Sequence, residues 1–176
     1  NKKSLNVDYI LVSLLLTLCS IGIFIIYSAT GQDAFFVRRQ LVFFVAGFCL
    51  MFLMAQFPPR LWERWAFLLY VAGLISLGAV LLIGVEANGA QRWLDLGFTR
   101  LQPSELMKIV VPLTISSVIA RTAIPPNFKN ISMAVILIFI PVFLVIKQPD
   151  LGTALLISVA GFIVLFLAGI QRAYLL

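Results

Sequence analysis

The sequence predicts an all-α fold, a polytopic bundle of transmembrane helices with about six spans. Of its 176 residues, 62% are hydrophobic and only 11% are charged, whereas a soluble domain carries roughly 25% charged residues. Several apolar runs are close in length to the roughly twenty residues that a helix needs to cross the lipid core. The formal net charge is +6, but no basic cluster with interleaved aromatic residues indicates nucleic acid as a partner. We interpret the excess as charge that flanks and orients the helices.

The predicted spans follow one another along the chain, and we expect them to form a single membrane domain over residues 1–176. Pro58 and Pro59 end the second span, because proline cannot continue a helix interior. Pro112 lies inside the fourth span, where we expect it to kink the helix. The spans are predicted at about 9–29, 40–57, 66–85, 104–120, 131–146 and 151–170.

The distribution of basic residues predicts that both termini face the cytoplasm, because cytoplasmic loops carry an excess of Lys and Arg. Arg38 and Arg39, in a predicted loop over residues 30–39, oppose this orientation. With the N-terminus inside, seven basic residues lie inside and five outside: Lys2, Lys3, Arg60, Arg64, Arg121, Lys129 and Arg172 against Arg38, Arg39, Arg92, Arg100 and Lys147. The charged loop before the fourth span and the start of the sixth span then face outward.

The two cysteines and the absence of histidine limit the chemistry. Cys19 and Cys49 lie inside apolar runs, and neither belongs to a CxxC motif. We therefore expect no zinc site and no histidine base. We also expect no signal peptide, because the first apolar run is too long for its apolar region and no cleavage site of small residues follows.

Charged residues gather in one stretch, GAQRWLDLGFTRLQPSELMK (residues 89–108). Its QPSE segment (102–105) predicts a helix start, because proline is tolerated at the first helical position and a carboxylate in the first turn suits the positive end of the helix dipole. QPD (148–150) repeats the pattern at the sixth span, so two helix N-termini are expected on one side of the membrane. The simpler alternative is that each motif is only a good helix start.

Glu105 and Lys108 are three residues apart and share one helical face. Lys108 lies about 8 Å below the helix start, and Pro112 and Ser116 continue the same stripe, which we interpret as a polar seam lining a cavity. Two alternatives are open for Asp150: it only interacts favourably with the dipole of its own helix, or it faces Lys108 across that cavity and completes a carboxylate–ammonium–carboxylate group. Ionisable residues inside spans are costly and mark substrate paths or structural pairs. A purely structural ion pair and a lysine that extends to the interface remain alternatives.

Arg92, which is beside Trp93, and Arg100 lie at the expected membrane boundary. Because the guanidinium fork matches phosphate oxygens, a lipid phosphate or pyrophosphate is a natural partner. Interfacial anchoring is the alternative, and for Arg100 it is the stronger one. The residues predicted to line the cavity are Glu105, Lys108, Asp150, Arg92, Arg100, Gln91 and Ser104.

The motifs GAQRWLDLGFTRLQPSELMK and KQPDLGTALL resemble the signature of the SEDS family (shape, elongation, division and sporulation proteins). SATGQD, MAQFPPRLWERWA and IPPNFKN resemble its RodA-like branch. The resemblance implies a peptidoglycan glycosyltransferase of the bacterial cytoplasmic membrane that polymerises lipid II, a polyprenyl pyrophosphate-linked glycan, during cell elongation. It also implies a class B penicillin-binding protein and other elongation-complex membrane proteins as partners.

The resemblance carries over to individual positions. Glu105 and Lys108 match the family's buried pair in an outward-facing cavity, Asp150 matches the acid of its QPDLGT motif, and Arg92 and Arg100 match basic positions of its charged loop. RodA-like proteins are longer than this sequence, and the resemblance places the aspartate expected to act as catalytic base beyond Leu176. We therefore expect an N-terminal half of such an enzyme, which supplies the substrate cavity but no catalytic residue.

Glycosyl transfer from a lipid pyrophosphate has two physical demands. The leaving pyrophosphate needs cationic stabilisation from arginine, lysine, helix N-termini or a divalent cation such as Mg²⁺ or Mn²⁺. The attacking hydroxyl needs a carboxylate base. Two other functions fit the same residues: a flippase or transporter of a lipid-linked sugar precursor, and a membrane scaffold of the cell-wall machinery.

Overall fold

The computed structural model describes residues 8–87, 90–95, 97, 100–122 and 124–169. Within this part of the chain lie six α-helices and a small antiparallel sheet, so the predicted helical fold class is confirmed. The elements in chain order are α1 (Tyr9–Ala29), α2 (Ala34–Ala55), α3 (Pro59–Ile83), β1 (Val85–Ala87), β2 (Ala90–Asp95), β3 (Arg100–Leu101), α4 (Pro103–Ile119), α5 (Phe128–Lys147) and α6 (Leu151–Leu167).

Four of the described helices, α1, α2, α3 and α5, are long and apolar enough to cross a membrane. Helices α4 and α6 have 17 residues each, which is about 25 Å at 1.5 Å per residue and near the lower limit for a span. The predicted end of the sixth span near residue 170 lies outside the described residues. So do Lys2, Lys3 and Arg172, on which the predicted orientation partly depends.

The chain divides into two compact units, residues 1–59 and 60–176. In the first unit, none of the residues of α1 or α2 is buried. Their exposed side chains are predominantly apolar, as expected for helices whose surroundings are lipid or another protein rather than water.

Helix α2 begins earlier than its predicted start near residue 40. The Asp33 carboxylate accepts a hydrogen bond from the Phe35 backbone N–H (2.8 Å) and caps the helix. Aspartate is among the best N-cap residues, so the helix begins at Ala34, and Arg38 and Arg39 lie within it instead of in the predicted loop.

Helix α3 begins at Pro59, so residues 59–65, which lie between the second and third predicted spans, form its first turns. Proline favours the first helical position because its fixed φ is already helical. The third predicted span therefore starts about seven residues later than the helix that contains it.

Helices α4, α5 and α6 form the core of the second unit. Met107, Val111 and Ile115 of α4 pack with Ile138 of α5 and Ile157 of α6, all without solvent exposure. Side-chain hydrogen bonds attach α3 to this core: the Thr114 hydroxyl donates to the Ala66 carbonyl (3.2 Å), and the Tyr70 hydroxyl donates to the Leu137 carbonyl (2.9 Å).

The charged segment before α4, expected to be a loop, contains the sheet. Strand β1 pairs with β2 and β2 pairs with β3, both antiparallel, with Val85 opposite Trp93 and Leu94 opposite Leu101. Between β2 and β3, Gly97 has a φ of +82° and donates its N–H to the Asp95 carboxylate (2.8 Å). The sheet holds the charged segment against the start of α4.

Candidate functional site

The start of α4 carries the acid–base pair predicted from the sequence. Pro103 occupies the first turn and Glu105 follows in it. Lys108 Nζ lies 2.7 Å from Glu105 Oε2, with side chains 27% and 53% exposed, respectively. The predicted sharing of one helical face is confirmed, and the ammonium group is the more sheltered of the two.

Asp150 lies at the junction between α5 and α6. One carboxylate oxygen, Oδ1, accepts a hydrogen bond from the Thr153 backbone N–H (3.2 Å), so Asp150 caps α6. The other, Oδ2, accepts a hydrogen bond from Gln102 Nε2 (3.2 Å). Because Gln102 is the N-cap residue of α4, this hydrogen bond joins the N-termini of α4 and α6. The starts of α4 and α6 are therefore in direct contact.

Arg92, on β2, lies against the same junction. Its Nε donates to the Gln148 carbonyl (3.3 Å), an Nη donates to the Pro149 carbonyl, and the other Nη lies 4.0 Å from Asp150 Oδ1. The guanidinium fork therefore binds the protein's own backbone and a carboxylate, which leaves fewer of its N–H donors for a phosphate.

These contacts correct the prediction that Asp150 and Glu105 share Lys108. Among the ion pairs of the described residues, Lys108 pairs with Glu105 and Asp150 pairs with Arg92, and none joins Lys108 to Asp150. The physical reason is the capping role of Asp150: its carboxylate turns back onto its own helix, where the guanidinium and the Gln102 amide reach it.

The other three predicted cavity residues have separate surroundings. Arg100 Nε lies 3.8 Å from Asp95 Oδ2, and both side chains are largely exposed. Gln91 Nε2 donates to the Gly84 carbonyl (2.7 Å), which attaches β2 to the segment after α3. The Ser104 hydroxyl is buried and has no hydrogen-bond partner among the described residues. Among the described residues, no hydrogen bond or ion pair connects Arg100 or Gln91 to the Glu105–Lys108 pair.

Two glutamines at this junction were missed as site residues. Gln102 binds Asp150, and the buried Gln148 donates through Nε2 to the Leu77 carbonyl (3.0 Å). Each glutamine directly precedes a proline in the repeated motifs at 102 and 148, and that repetition was the available signal.

The site does not fit a resident Mg²⁺ or Mn²⁺. Within the described residues there is no group of three or more His, Cys, Asp or Glu side chains close enough to hold a metal ion. Glu105 and Asp150, the two carboxylates at the site, are each engaged by a cation.

Comparison with known proteins identifies relatives across nearly the whole chain. A family model of FtsW, RodA and SpoVE, described as cell cycle protein, matches residues 6–176. The peptidoglycan glycosyltransferase MrdB of Escherichia coli K12 is 44% identical over 175 residues, which cover 97% of this chain and 47% of MrdB. A probable peptidoglycan glycosyltransferase FtsW of Nitrosomonas europaea is 30% identical over 180 residues, covering 94% of this chain and 46% of FtsW.

Solved structures have the same fold. The rod shape determining protein RodA of Thermus thermophilus superposes with a TM-score of 0.84 at 32% identity, covering 96% of this chain and 56% of RodA. A chain from a peptidoglycan synthase complex, solved to explain how polymerization and crosslinking are coordinated, gives a TM-score of 0.83 at 31% identity, covering 92% and 48%. The chain spans about half the length of the relatives it matches.

Proposed function

The chain belongs to the FtsW/RodA/SpoVE family of cell cycle proteins, and we propose that it is part of a RodA-like glycosyltransferase that polymerises lipid II into glycan strands during cell elongation. The names of its relatives, peptidoglycan glycosyltransferases MrdB and FtsW, support this reaction class. Because the chain spans about half of each relative, we assign it one part of the activity: the substrate cavity on the outer face of the membrane.

The Glu105–Lys108 ion pair is the observation that carries the proposal. Its Nζ–Oε2 distance is 2.7 Å, and it lies in the first two turns of a helix that packs in the core of the bundle. Polymerisation requires an acceptor hydroxyl to attack the anomeric carbon while the bond to the pyrophosphate oxygen breaks and leaves its electrons on that oxygen. We assign Lys108 to stabilise this developing negative charge, and Glu105 to orient the Lys108 side chain through their ion pair.

The proton of the attacking hydroxyl needs a carboxylate base, and neither carboxylate of this site is free to accept it. Glu105 is bound to Lys108, and Asp150 is bound to Gln102, Arg92 and the start of α6. We therefore propose that the base belongs to the remainder of the full-length enzyme. Arg100, whose side chain is 58% exposed, remains a candidate to contact the phosphates together with Lys108. In this proposal Gln91 and Ser104 line the cavity and Arg92 borders it.

The apolar helices and the bacterial relatives support a multi-pass bacterial membrane protein. We place it in the cytoplasmic (inner) membrane, with both termini in the cytoplasm and residues 1–176 forming one membrane domain. As partner we propose a class B penicillin-binding protein that cross-links the strands within the elongation complex. The structural likeness to a chain of a synthase that coordinates polymerization with crosslinking supports this partnership.

The test uses a chimera in which this chain replaces the matching segment of Escherichia coli MrdB. The chimera is reconstituted in vesicles with its penicillin-binding protein and supplied with lipid II, and glycan strands are measured by gel electrophoresis. We expect Lys108→Ala to reduce polymerisation by about 10²-fold or more without impairing membrane insertion. Lys129→Ala, at an exposed lysine near the start of α5, is the matched control and should polymerise normally. Unchanged polymerisation by Lys108→Ala, or transfer of lipid II across the vesicle membrane without strand growth, would contradict the proposal.

A further inference from the structure

Three side chains from different elements meet at the start of α6. Arg92 comes from β2, Gln102 precedes α4, and Asp150 precedes α6. Gln102 Nε2 donates to Asp150 Oδ2 at 3.2 Å, and an Nη of Arg92 lies 4.0 Å from Asp150 Oδ1. We call these three residues the junction triad. They connect the sheet, α4 and α6 through a carboxylate that is 11% exposed.

The Gln102 side chain forms a hydrogen bond to the start of another helix and does not cap its own helix. The side chain of an N-cap residue ordinarily accepts a hydrogen bond from the first turn of its own helix. The Gln102 side chain makes no such bond, and its amide donates to Asp150, 48 residues further along the chain. The α4 N-terminus is therefore hydrogen-bonded to the start of α6.

The turn that contains Asp150 is itself held from two other elements. Arg92 on β2 binds the carbonyls of Gln148 and Pro149, and the buried Gln148 amide donates to the Leu77 carbonyl of α3 at 3.0 Å. These hydrogen bonds hold the turn in place, and the hydrogen bond from Gln102 to Asp150 joins the start of α4 to it.

The ion pair assigned to the substrate lies directly beyond this contact. Glu105 is three residues and Lys108 six residues after Gln102, so both lie within about 9 Å of it along the helix axis. A displacement of the α4 start moves both charges together. Misplacement of a catalytic constellation by about 1 Å is enough to cost about 10²-fold in rate.

We propose that Gln102 is a positioning residue, which holds the Glu105–Lys108 pair in register with the substrate through its hydrogen bond to Asp150. Among the described residues, the Gln102 side chain forms no hydrogen bond or ion pair with Glu105 or Lys108, and only its backbone carbonyl accepts from the Glu105 N–H (3.1 Å). The side chain therefore acts through the helix start. This inference rests on the proposed function, because it assigns a reason for the geometry of the same site.

The test compares Gln102→Glu with Gln102→Ala in the MrdB chimera between pH 6 and pH 8, each relative to the unmodified chimera at the same pH. An introduced carboxylate at position 102 meets the like charge of Asp150, and protonation of either acid relieves the repulsion. When protonated, that carboxyl group can again donate to its neighbour. The other charged groups nearby are Arg92 on β2, the Glu105–Lys108 pair on α4 and the Arg100–Asp95 pair of the sheet.

We expect Gln102→Glu to lose about tenfold in polymerisation at pH 8, the effect of losing a hydrogen bond to a charged group. Most of the activity should return towards pH 6. Gln102→Ala should lose a similar amount at every pH, because alanine has no donor to regain. The control is Gln56→Ala, since Gln56 is exposed and its side-chain amide donates to the Phe52 carbonyl of α2, the helix that Gln56 ends.

A loss in Gln102→Glu that does not change with pH, or full activity in both Gln102 variants, would overturn the positioning role. These outcomes are separable from a failure of the proposed function. If Lys108→Ala polymerises normally, the proposed function is wrong. If Lys108→Ala is inactive and the Gln102 variants behave like Gln56→Ala, only the role of Gln102 is wrong.

Discussion

Lys108 Nζ lies 2.7 Å from Glu105 Oε2, and the ammonium group is the less exposed partner of the pair. A partly exposed ion pair contributes only about 0–1 kcal/mol to stability. An ionisable side chain within a membrane helix nevertheless costs free energy, and such a side chain is therefore taken to mark a functional site. Because the ion pair adds little stability and its charges are costly to keep in a membrane helix, we infer that the pair matters more for activity than for folding.

Glu105→Gln should therefore separate the two effects. Without the carboxylate, Lys108 loses its orienting partner, and we expect polymerisation of lipid II by the MrdB chimera to fall by about tenfold or more. The free energy of unfolding should change by less than about 1 kcal/mol. Strand synthesis and thermal unfolding monitored by size-exclusion fluorescence measure the two quantities.

The control for Glu105→Gln is Glu63→Gln, which breaks the 3.1 Å pair of Glu63 with Arg121. Both residues of that pair are solvent-accessible, so this variant should retain both activity and stability. If Glu105→Gln lowers the unfolding temperature steeply and activity falls only in proportion, the pair is structural.

Tyr70→Phe should destabilise the bundle without changing its chemistry. The Tyr70 hydroxyl donates to the Leu137 carbonyl at 2.9 Å in a buried contact between α3 and α5. Hydrogen bonds between membrane helices contribute about 0.6 kcal/mol on average and at most about 1.7 kcal/mol, so we expect a loss in that range. Tyr27→Phe, at an exposed position on α1, is the control in thermal unfolding. Equal unfolding temperatures for the two variants would show that the Tyr70 hydroxyl adds no stability.

The helices and the Glu105–Lys108 pair could be predicted because both depend on local sequence. Apolar length defines a membrane helix, and proline at a first helical position defines its start. A spacing of three places two side chains on one helical face. The early start of α2 follows equally local rules, since Asp33 is a good N-cap, but the charges of Arg38 and Arg39 favoured a loop.

The strands and the partners of Asp150 could not be predicted in the same way. Strands β1 and β3 have three and two residues, too few to show an alternating pattern. Gln102 is 48 residues from Asp150, and Arg92 is 56 residues from the Gln148 carbonyl that it binds. Such contacts depend on how the helices pack, whereas the motif alone indicated only a helix start.

Gly161→Ala should weaken the packing of α6 against its neighbours. An added Cβ would lie 2.6 Å from Ile138 Cγ1 on α5 and 3.1 Å from Ile115 Cδ1 on α4. Both isoleucines are completely buried, so they cannot move aside without displacing the core. Overpacking of this kind costs about 1–3 kcal/mol, which thermal unfolding would detect.

Gly152→Ala is the matched control for Gly161→Ala, because it lies on the same helix and an added Cβ there meets nothing within 4 Å. It should be neutral or slightly stabilising, since alanine is the better helix former. Adding Ile138→Val to Gly161→Ala removes a methyl group near the clash and should recover part of the loss. Equal stability of the two glycine variants would mean that α6 does not depend on this close approach.

Arg92→Lys should impair the protein even though it preserves the charge. The guanidinium group of Arg92 reaches the carbonyls of Gln148 and Pro149 and lies near the Asp150 carboxylate at the same time. A lysine ammonium is a point charge on a flexible stem and cannot reproduce that planar fork. We therefore expect a loss of about tenfold in polymerisation and a lower unfolding temperature, because the sheet is no longer attached to the α5–α6 turn.

Arg121→Lys is the control for Arg92→Lys. Arg121 also forms an ion pair, with Glu63 at 3.1 Å, but its side chain is 63% exposed. Replacement at such a surface pair changes stability by no more than about 0.5 kcal/mol, so this variant should match the unmodified chimera in both measurements. If Arg92→Lys also matched it, charge alone would suffice at the junction, and the hydrogen bonds from Arg92 to the two carbonyls would contribute nothing to holding the sheet in place.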